Sequence, residues 1–217
     1  PYQRDCEVWA RVKRPKVSLR TQIAFAHLHM IPVILLSFFD GIGTAARILN
    51  NLGIRLLLYI AWEIDPACIA VANLHHPMVE HRGDFLMDNH HDIRDRVLRD
   101  DPDGKAIVVI VMAPPCPDFS AVKGSDAPGR KGTEGQKFDQ SLDFRSKIIP
   151  THRHAPLAEY ATLRNQSDIP YLVERKSGLT IEADAAAFEI TSRPRFWWLT
   201  FSWNFLDNMM TDFTDLE

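Results

Sequence analysis

The chain has 217 residues and a mass of 24.8 kDa, enough for one substantial domain with a short extension. Hydrophobic residues make up 46% and charged residues 24%, a globular balance, and the apolar run Ile31 to Phe39 contains Pro32 and falls far short of the roughly 20 residues of a membrane span. A net charge of −3 requires any basic surface to be local, and three scattered cysteines (Cys6, Cys68, Cys116) exclude a disulfide framework or four-cysteine zinc site.

In chain order, residues 1–30 carry six basic residues (Arg4, Arg11, Lys13, Arg14, Lys16, Arg20) against two acidic ones, with weak apolar spacing and no signal-peptide pattern. They are expected to form a solvated basic extension. The start at Pro1 is that expected of a fragment or processed product. One globular domain is expected over 31–205 and an acidic tail over 206–217. Val33 to Phe39 is a continuous apolar run stopped by Asp40-Gly41, the pattern of a buried strand. Ala45, Ile48, Leu49 and Leu52 then recur at helical spacing, with Gly53 as a stop. Leu56 to Trp62 predicts a second strand, Pro66 opens a helix, and Ile107 to Met112 predicts a third strand ended by Pro114-Pro115. A polar stretch with Gly124, Gly129, Gly132 and Gly135 reads as flexible loop. Helices are expected at 137–149 and 155–165, and strands at Tyr171-Leu172-Val173 and from Arg195 to Phe201. Strands alternating with helices predict an α/β fold, a Rossmann-like, mostly parallel sheet with helices on both faces. Ligands bind beyond the carboxyl ends of such strands, where Asp40, Glu63, Asp84, Cys116 and Glu174 are expected to lie.

Gly41-Ile42-Gly43-Thr44-Ala45-Ala46 satisfies G-x-G-x-x-A between a strand and a helix, and Glu63 lies twenty residues past Gly43. Glycines allow a tight turn and close ligand approach, and a carboxylate accepts hydrogen bonds from a ribose diol. The pattern points to an adenosine-containing cofactor, nicotinamide dinucleotide or S-adenosylmethionine, with a turn that needs glycine for backbone reasons alone as the bland reading. Gly83-Asp84-Phe85 offers a carboxylate to an adenine amino group, or is a plain turn. In Ala113-Pro114-Pro115-Cys116-Pro117-Asp118-Phe119-Ser120, three prolines fix the backbone around one thiol. A cysteine on a rigid strand-end turn suggests a positioned nucleophile, activated as its thiolate. The pairs His75-His76, His90-His91 and His152-x-His154 have no cysteine or carboxylate at ligand spacing, so no metal site is expected.

These motifs resemble those of the DNA cytosine-5 methyltransferase family from about Val33 to Trp198. Phe39-Asp40-Gly41-Ile42-Gly43 is similar to the family's cofactor turn, Glu63-Ile64 to its ribose and adenine pair, and Gly83-Asp84-Phe85 to its adenine-edge motif. Pro114-Pro115-Cys116, with Asp118-Phe119-Ser120 behind it, resembles the catalytic Pro-Cys motif. Val173-Glu174 stands where the family has Glu-Asn-Val, and Arg193-Pro194-Arg195 followed by Phe196-Trp197-Trp198 resembles the late R-x-R motif. The resemblance implies methyl transfer from S-adenosyl-L-methionine to C5 of cytosine in DNA. Cys116, Glu174, Arg193 and Arg195 would be catalytic. Phe39, Asp40, Gly41, Ile42, Gly43, Thr44, Glu63, Ile64, Asp84, Phe85 and Pro114 would bind the cofactor. Apart from the resemblance, the basic residues in and after the glycine-rich segment read equally as a solvated loop or as a mobile loop closing over a phosphate backbone, in which Ser120, Lys123, Arg130 and Lys131 would contact nucleic acid.

Two departures accompany the resemblance. Arg175 replaces an asparagine expected to brace the cysteine loop. Only 22 residues (196–217) follow Arg195, where the family continues into a target-recognition region. The expectation is a truncated catalytic domain whose partners are DNA or tRNA and a second methyltransferase subunit, and no membrane. The implied setting is intracellular, nuclear in a eukaryote and cytoplasmic otherwise. The alternatives are a binding-only homologue, a tRNA cytosine-5 methyltransferase, and a dehydrogenase, which would leave Pro114-Pro115-Cys116 without a role.

Overall fold

Val33–Phe38 is buried along its whole length and forms strand β1, as its unbroken apolar run predicts. The computed structural model describes residues 31–115, 117–119 and 128–148 in full, and the backbone alone for strands in 154–161, 179–184 and 194–199. These residues all fall within one unit, His29–Phe201. The turn 39–43 leads from β1 into helix α1 (Thr44–Asn51), after which come strand β2 (Leu56–Trp62) and helix α2 (Pro66–His75). Asp65 caps α2 by accepting from the amides of Ala67 and Cys68, and Pro66 occupies the first turn, where a missing N–H costs nothing. A two-residue strand β3 (Glu80–His81), a short 3-10 turn (Phe85–Met87), helix α3 (His90–Asp100), strand β4 (Ile107–Met112) and helix α4 (Gln136–Ile148) follow. Three further strands are β5 (His154–Ala161), β6 (Leu179–Asp184) and β7 (Pro194–Leu199).

The seven strands form one sheet in the order β3-β2-β1-β4-β5-β7-β6. The pairs from β3 to β5 are all parallel, and β7 is antiparallel to both its neighbours. Side-chain alternation along β1 feeds two cores. Ile34, Leu36 and Phe38 join Ile60, Trp62 and Ile110 against Ile93 of α3 and Phe138 of α4. Leu35 joins Tyr59 and Ala61 against Ala46 of α1. Phe38 stacks on Trp62 with ring centroids 4.3 Å apart, at the carboxyl ends of adjacent strands.

One expected element is corrected. Of the segment expected as a helix over 155–165, residues 155–161 lie in strand β5 and the rest lie outside the described residues. Alanine, leucine and glutamate there suit a helix, but the chain lies between β4 and β7 and forms ladders with both. The expected strand at 171–173 lies outside the described residues. Strands β3 and β6 and helix α3 had no counterpart among the expected elements. Among the described residues no helix is long and apolar enough to cross a membrane.

Candidate cofactor site at the carboxyl edge of the sheet

The turn after β1 is built from left-handed residues. Phe39 has φ 57°, Gly41 59° and Gly43 80°. For Gly43 the glycine is obligatory twice over: an added Cβ would lie 2.9 Å from His76 Cδ2 and 3.3 Å from the Tyr59 hydroxyl. Around Gly41 the space is open, with no atom within 4 Å of an added Cβ, so this glycine serves backbone conformation. Phe39 is the costlier case, because a left-handed non-glycine residue costs on the order of 1–2 kcal/mol. Strict alternation from β1 would send Phe39 to the α1 side and Asp40 to the α3 side. The left-handed residue reverses this. Phe39 packs edge-on to Phe85 at 5.4 Å, in the α3–α4 layer, while Asp40 reaches Tyr59 on the opposite face.

Asp40 is therefore a buried brace, 8% exposed, whose Oδ2 accepts a 2.6 Å hydrogen bond from the Tyr59 hydroxyl. Burial raises its pKa above the usual carboxylate range, and the Ser37 and Tyr59 hydroxyls and the His81 ring only partly oppose this. The Tyr59 hydroxyl is held far above its ordinary value by burial and by the carboxylate. A carboxyl with a raised folded pKa stabilises the fold below its unfolded value, and that contribution is lost as pH rises through the folded value. Asp40→Asn is thus expected to flatten the stability profile in the interval just above about pH 4. Tyr59→Phe, which removes a donor from the buried carboxylate, is expected to cost about 1.5–3 kcal/mol at neutral pH and less near pH 4. Urea titrations of both variants across pH 4–8 check this; parallel curves for wild type and Asp40→Asn would contradict it.

Glu63, just beyond β2, ties that strand to the glycine turn. Its Oε2 accepts from Gly41 N at 2.8 Å, and its Oε1 from Ile64 N at 2.7 Å and Asp65 N at 2.9 Å. A carboxylate offers about four acceptor positions, so one remains for a ligand hydroxyl. Ile64 beside it is 65% exposed, an apolar side chain in solvent at the mouth of the turn. Asp84 is exposed, and its Oδ1 accepts from Leu86 N at 3.0 Å, capping the 3-10 turn. Phe85 is 3% exposed and packs edge-on to Phe38, Phe39 and Phe144. Its ring is thus part of the core beneath the loop, with no face left at the surface for a purine. Ile42 and Thr44 are exposed on the turn and the start of α1.

Beyond β4, Pro114 is buried and Pro115 half-buried. The next three described residues are fixed from a distance. Asp118 is buried; its Oδ2 accepts from Glu134 N at 2.9 Å and Gly135 N at 3.1 Å, and its carbonyl from Gly129 N at 2.9 Å. The glycines of 129–135 are therefore close-packing residues here, where flexible loop was expected. Arg130 and Lys131 lie in a short 3-10 turn (Gly129–Lys131), the first half-buried and the second exposed. Arg195 is placed by topology: β7 runs antiparallel, and Arg195 pairs with Ala161, so it lies at the edge where the parallel strands end. Cys116, Ser120, Lys123, Glu174 and Arg193 lie outside the described residues. Among the described residues no cluster of three histidine, cysteine or carboxylate side chains could hold a metal.

Sequence reasoning passed over Tyr59 and Trp62, which sit within an apolar run, and Arg82 and Asp88, which sit in a polar one. The edge as a whole fits an adenosine-type ligand. The space beside Gly41 is unobstructed, Glu63 keeps an acceptor, and Asp84 faces solvent. Asp40, Glu63, Asp65 and Asp84 concentrate negative charge around the turn, which suits a cationic ligand better than a pyrophosphate.

No family model matches the chain. Solved structures do resemble it. The Dnmt2 methyltransferase of S. pombe is 20% identical, with a TM-score of 0.50 over 79% of this chain and 50% of that one. A Spodoptera frugiperda DNMT2 variant is 14% identical, with a TM-score of 0.50 over 76% and 48%. The Entamoeba histolytica methyltransferase EhMeth is 16% identical, with a TM-score of 0.53 over 80% and 54%. The chain spans about half the length of these structures. Its fold is the Rossmann-like fold of these methyltransferases.

Proposed function

We propose that this chain is the S-adenosylmethionine-binding and catalytic part of a cytosine-C5 methyltransferase acting on DNA. One observation carries the reading. Strands β1 to β4 release the glycine turn, Glu63, Asp84 and Pro114-Pro115 at one edge, and β7 begins at that edge with Pro194-Arg195. These are the segments in which the sequence resembles that family.

When bound, S-adenosylmethionine supplies an electrophilic methyl group on its sulfonium sulfur. Glu63 would accept from a ribose hydroxyl at its remaining acceptor position, Asp84 would accept from the adenine amino group, and the exposed Ile64 would offer apolar contact to the purine. Ring carbon C5 of cytosine is a poor nucleophile, and the protein must change that. The Cys116 thiolate adds to C6, and the displaced electron pair enriches C5. Glu174, protonated, gives its proton to N3 so that negative charge does not build up on the ring; a raised pKa from burial would suit that role. Arg193 and Arg195 hold the base edge. C5 would then take the methyl group, leaving the neutral thioether S-adenosylhomocysteine. A base from solvent takes the C5 proton, the C5–C6 double bond re-forms as Cys116 leaves as thiolate, and N3 returns its proton to Glu174. The target base must leave the stack for this, and Ser120, Lys123, Arg130 and Lys131 contact the backbone that allows it.

The test is incubation with tritiated methyl donor and either duplex DNA or tRNA. Label in DNA supports the proposal, and label in tRNA alone changes the polymer but not the chemistry. Cofactor binding without label in either would mark a binding-only chain that acts with a second subunit. Glu63→Ala is expected to weaken S-adenosylmethionine and S-adenosylhomocysteine alike by about ten- to a hundred-fold in calorimetry, because each loses a charged hydrogen bond. Micromolar binding of NAD by the wild type would instead revive the dehydrogenase alternative.

A further inference from the structure

We infer that Asp88 is a positioning residue for the adenosine site: it holds the segments that carry Glu63 and Asp84 at a fixed separation. The inference rests on the cofactor reading above. Trp62 is the last residue of β2, immediately before Glu63, and Arg82 follows β3, two residues before Asp84. Asp88 joins the two. Its Oδ2 accepts from Trp62 Nε1 at 2.7 Å and from Arg82 Nε at 3.1 Å, and its Oδ1 accepts from Arg82 Nη2 at 2.8 Å and from Asn89 N at 2.8 Å. Four donors fill the acceptor positions of one carboxylate.

The geometry suits a clamp. The two-pronged Arg82–Asp88 pair closes the loop Gly83–Met87, which carries Asp84, and a planar fork of this kind fixes orientation as well as distance. Asp88 side chain is 7% exposed, so the pair is shielded from the solvent screening that weakens surface pairs. Burial acts to raise the Asp88 pKa, but the Arg82, Trp62 and Asn89 donors prevail and hold it below the usual carboxylate range. Phe85 pins the loop from below in the aromatic core, while Leu86 and Met87 project into solvent and contribute little anchoring. Strand pairing, the Arg82 N to Ala61 O bond and the packing of Trp62 and Phe85 around Phe38 and Phe144 also tie the exit of β2 to the exit of β3, but Asp88 is where polar side chains from both sides meet. Asn89, the next residue, caps α3 through its own side chain, so the start of that helix does not depend on Asp88 alone.

A positioning role and a merely structural one differ in what they do to ligand discrimination. The probes are S-adenosylhomocysteine and S-inosylhomocysteine, which replaces the purine amino group by a carbonyl and so loses the donor to Asp84. Calorimetry on the wild type is expected to show a preference for the adenine compound of about tenfold. In Asp88→Asn, affinity for the adenine compound is expected to fall by about tenfold, with a much smaller fall for the inosine compound, so that the ratio collapses to within about threefold. Arg82→Gln, at a partly exposed position, should collapse the ratio in the same direction and serves where Asp88→Asn folds poorly. Loss of folded protein lowers the number of sites and leaves the ratio untouched. A preserved ratio in both variants overturns the positioning role while leaving the cofactor reading intact. A wild type that binds neither compound overturns both.

Discussion

Cys116→Ser is expected to lower methyl transfer by about a thousand-fold or more, while affinity for S-adenosylhomocysteine stays within about threefold. The reaction needs a nucleophile that is ionised near neutral pH and leaves readily at the end, and a serine hydroxyl does neither. Gly41, Glu63 and Asp84 follow β1, β2 and β3, whereas Cys116 follows β4 in the sequence, so the two properties should separate. A duplex containing 5-fluorocytosine should trap a covalent adduct with the wild type, because fluorine replaces the proton whose loss ends the cycle. No adduct should form with the serine variant. Methylation retained in that variant would place the nucleophile elsewhere.

The second large effect lies in the segment joined to that turn. An alanine Cβ at Gly135 would sit 2.0 Å from the Gly129 carbonyl oxygen, and one at Gly132 would sit 2.1 Å from Asp118 Oδ2. The first obstacle is backbone and cannot swing aside. Gly135→Ala is therefore expected to cost about 3 kcal/mol, a fall in Tm of about 6–12 °C for a chain of this size. The nearest obstacle at Gly132 is the Asp118 carboxylate, pinned by the amides of Glu134 and Gly135, with Pro128 Cγ behind it at 2.8 Å. In an Asp118→Ala background, Gly132→Ala should therefore cost less than in the wild type, though not nothing because the Pro128 ring remains, whereas Gly135→Ala should keep its full penalty. Thermal unfolding of the single and double variants measures this coupling, and equal penalties for Gly132→Ala in both backgrounds would show that Asp118 is not what excludes the side chain.

The parallel half of the sheet was legible because its strands are buried on both faces and therefore read as unbroken apolar runs. Val33–Phe38, Leu56–Trp62 and Ile107–Met112 match the expected strands almost residue for residue. Helix α3 was illegible for the opposite reason. Among its 11 residues only Ile93 and Val97 are buried, one helical turn apart, and the rest are mostly charged or imidazole. Strand β3 is two residues long, too short for any period to show. Strand β5 was misread because its local preference is helical and its neighbours in the sheet decide the outcome. At the site, glycine and carboxylate spacing located the turn, Glu63 and Asp84. Spacing could not tell that Asp40 turns inward to Tyr59, which depends on the sign of one backbone angle at Phe39, or that Phe85 is buried, which depends on Phe38, Phe39 and Phe144 packing around it from distant positions.

That angle has a consequence for how the chain tolerates change in length. Surface connections usually absorb an added or deleted residue at small cost. The connection after β1 cannot, because its length is quantised by parity. One residue more or fewer between Phe38 and Gly41 would exchange the destinations of ring and acid, driving a carboxyl into the aromatic layer around Phe85 and leaving the Tyr59 hydroxyl facing a hydrocarbon. Even-numbered insertions would restore the faces but lengthen the turn past the reach of Glu63 to the Gly41 amide. The five residues from Phe39 to Gly43 therefore behave as a fixed-length gauge, and libraries that vary their number should yield folded protein only at the native count.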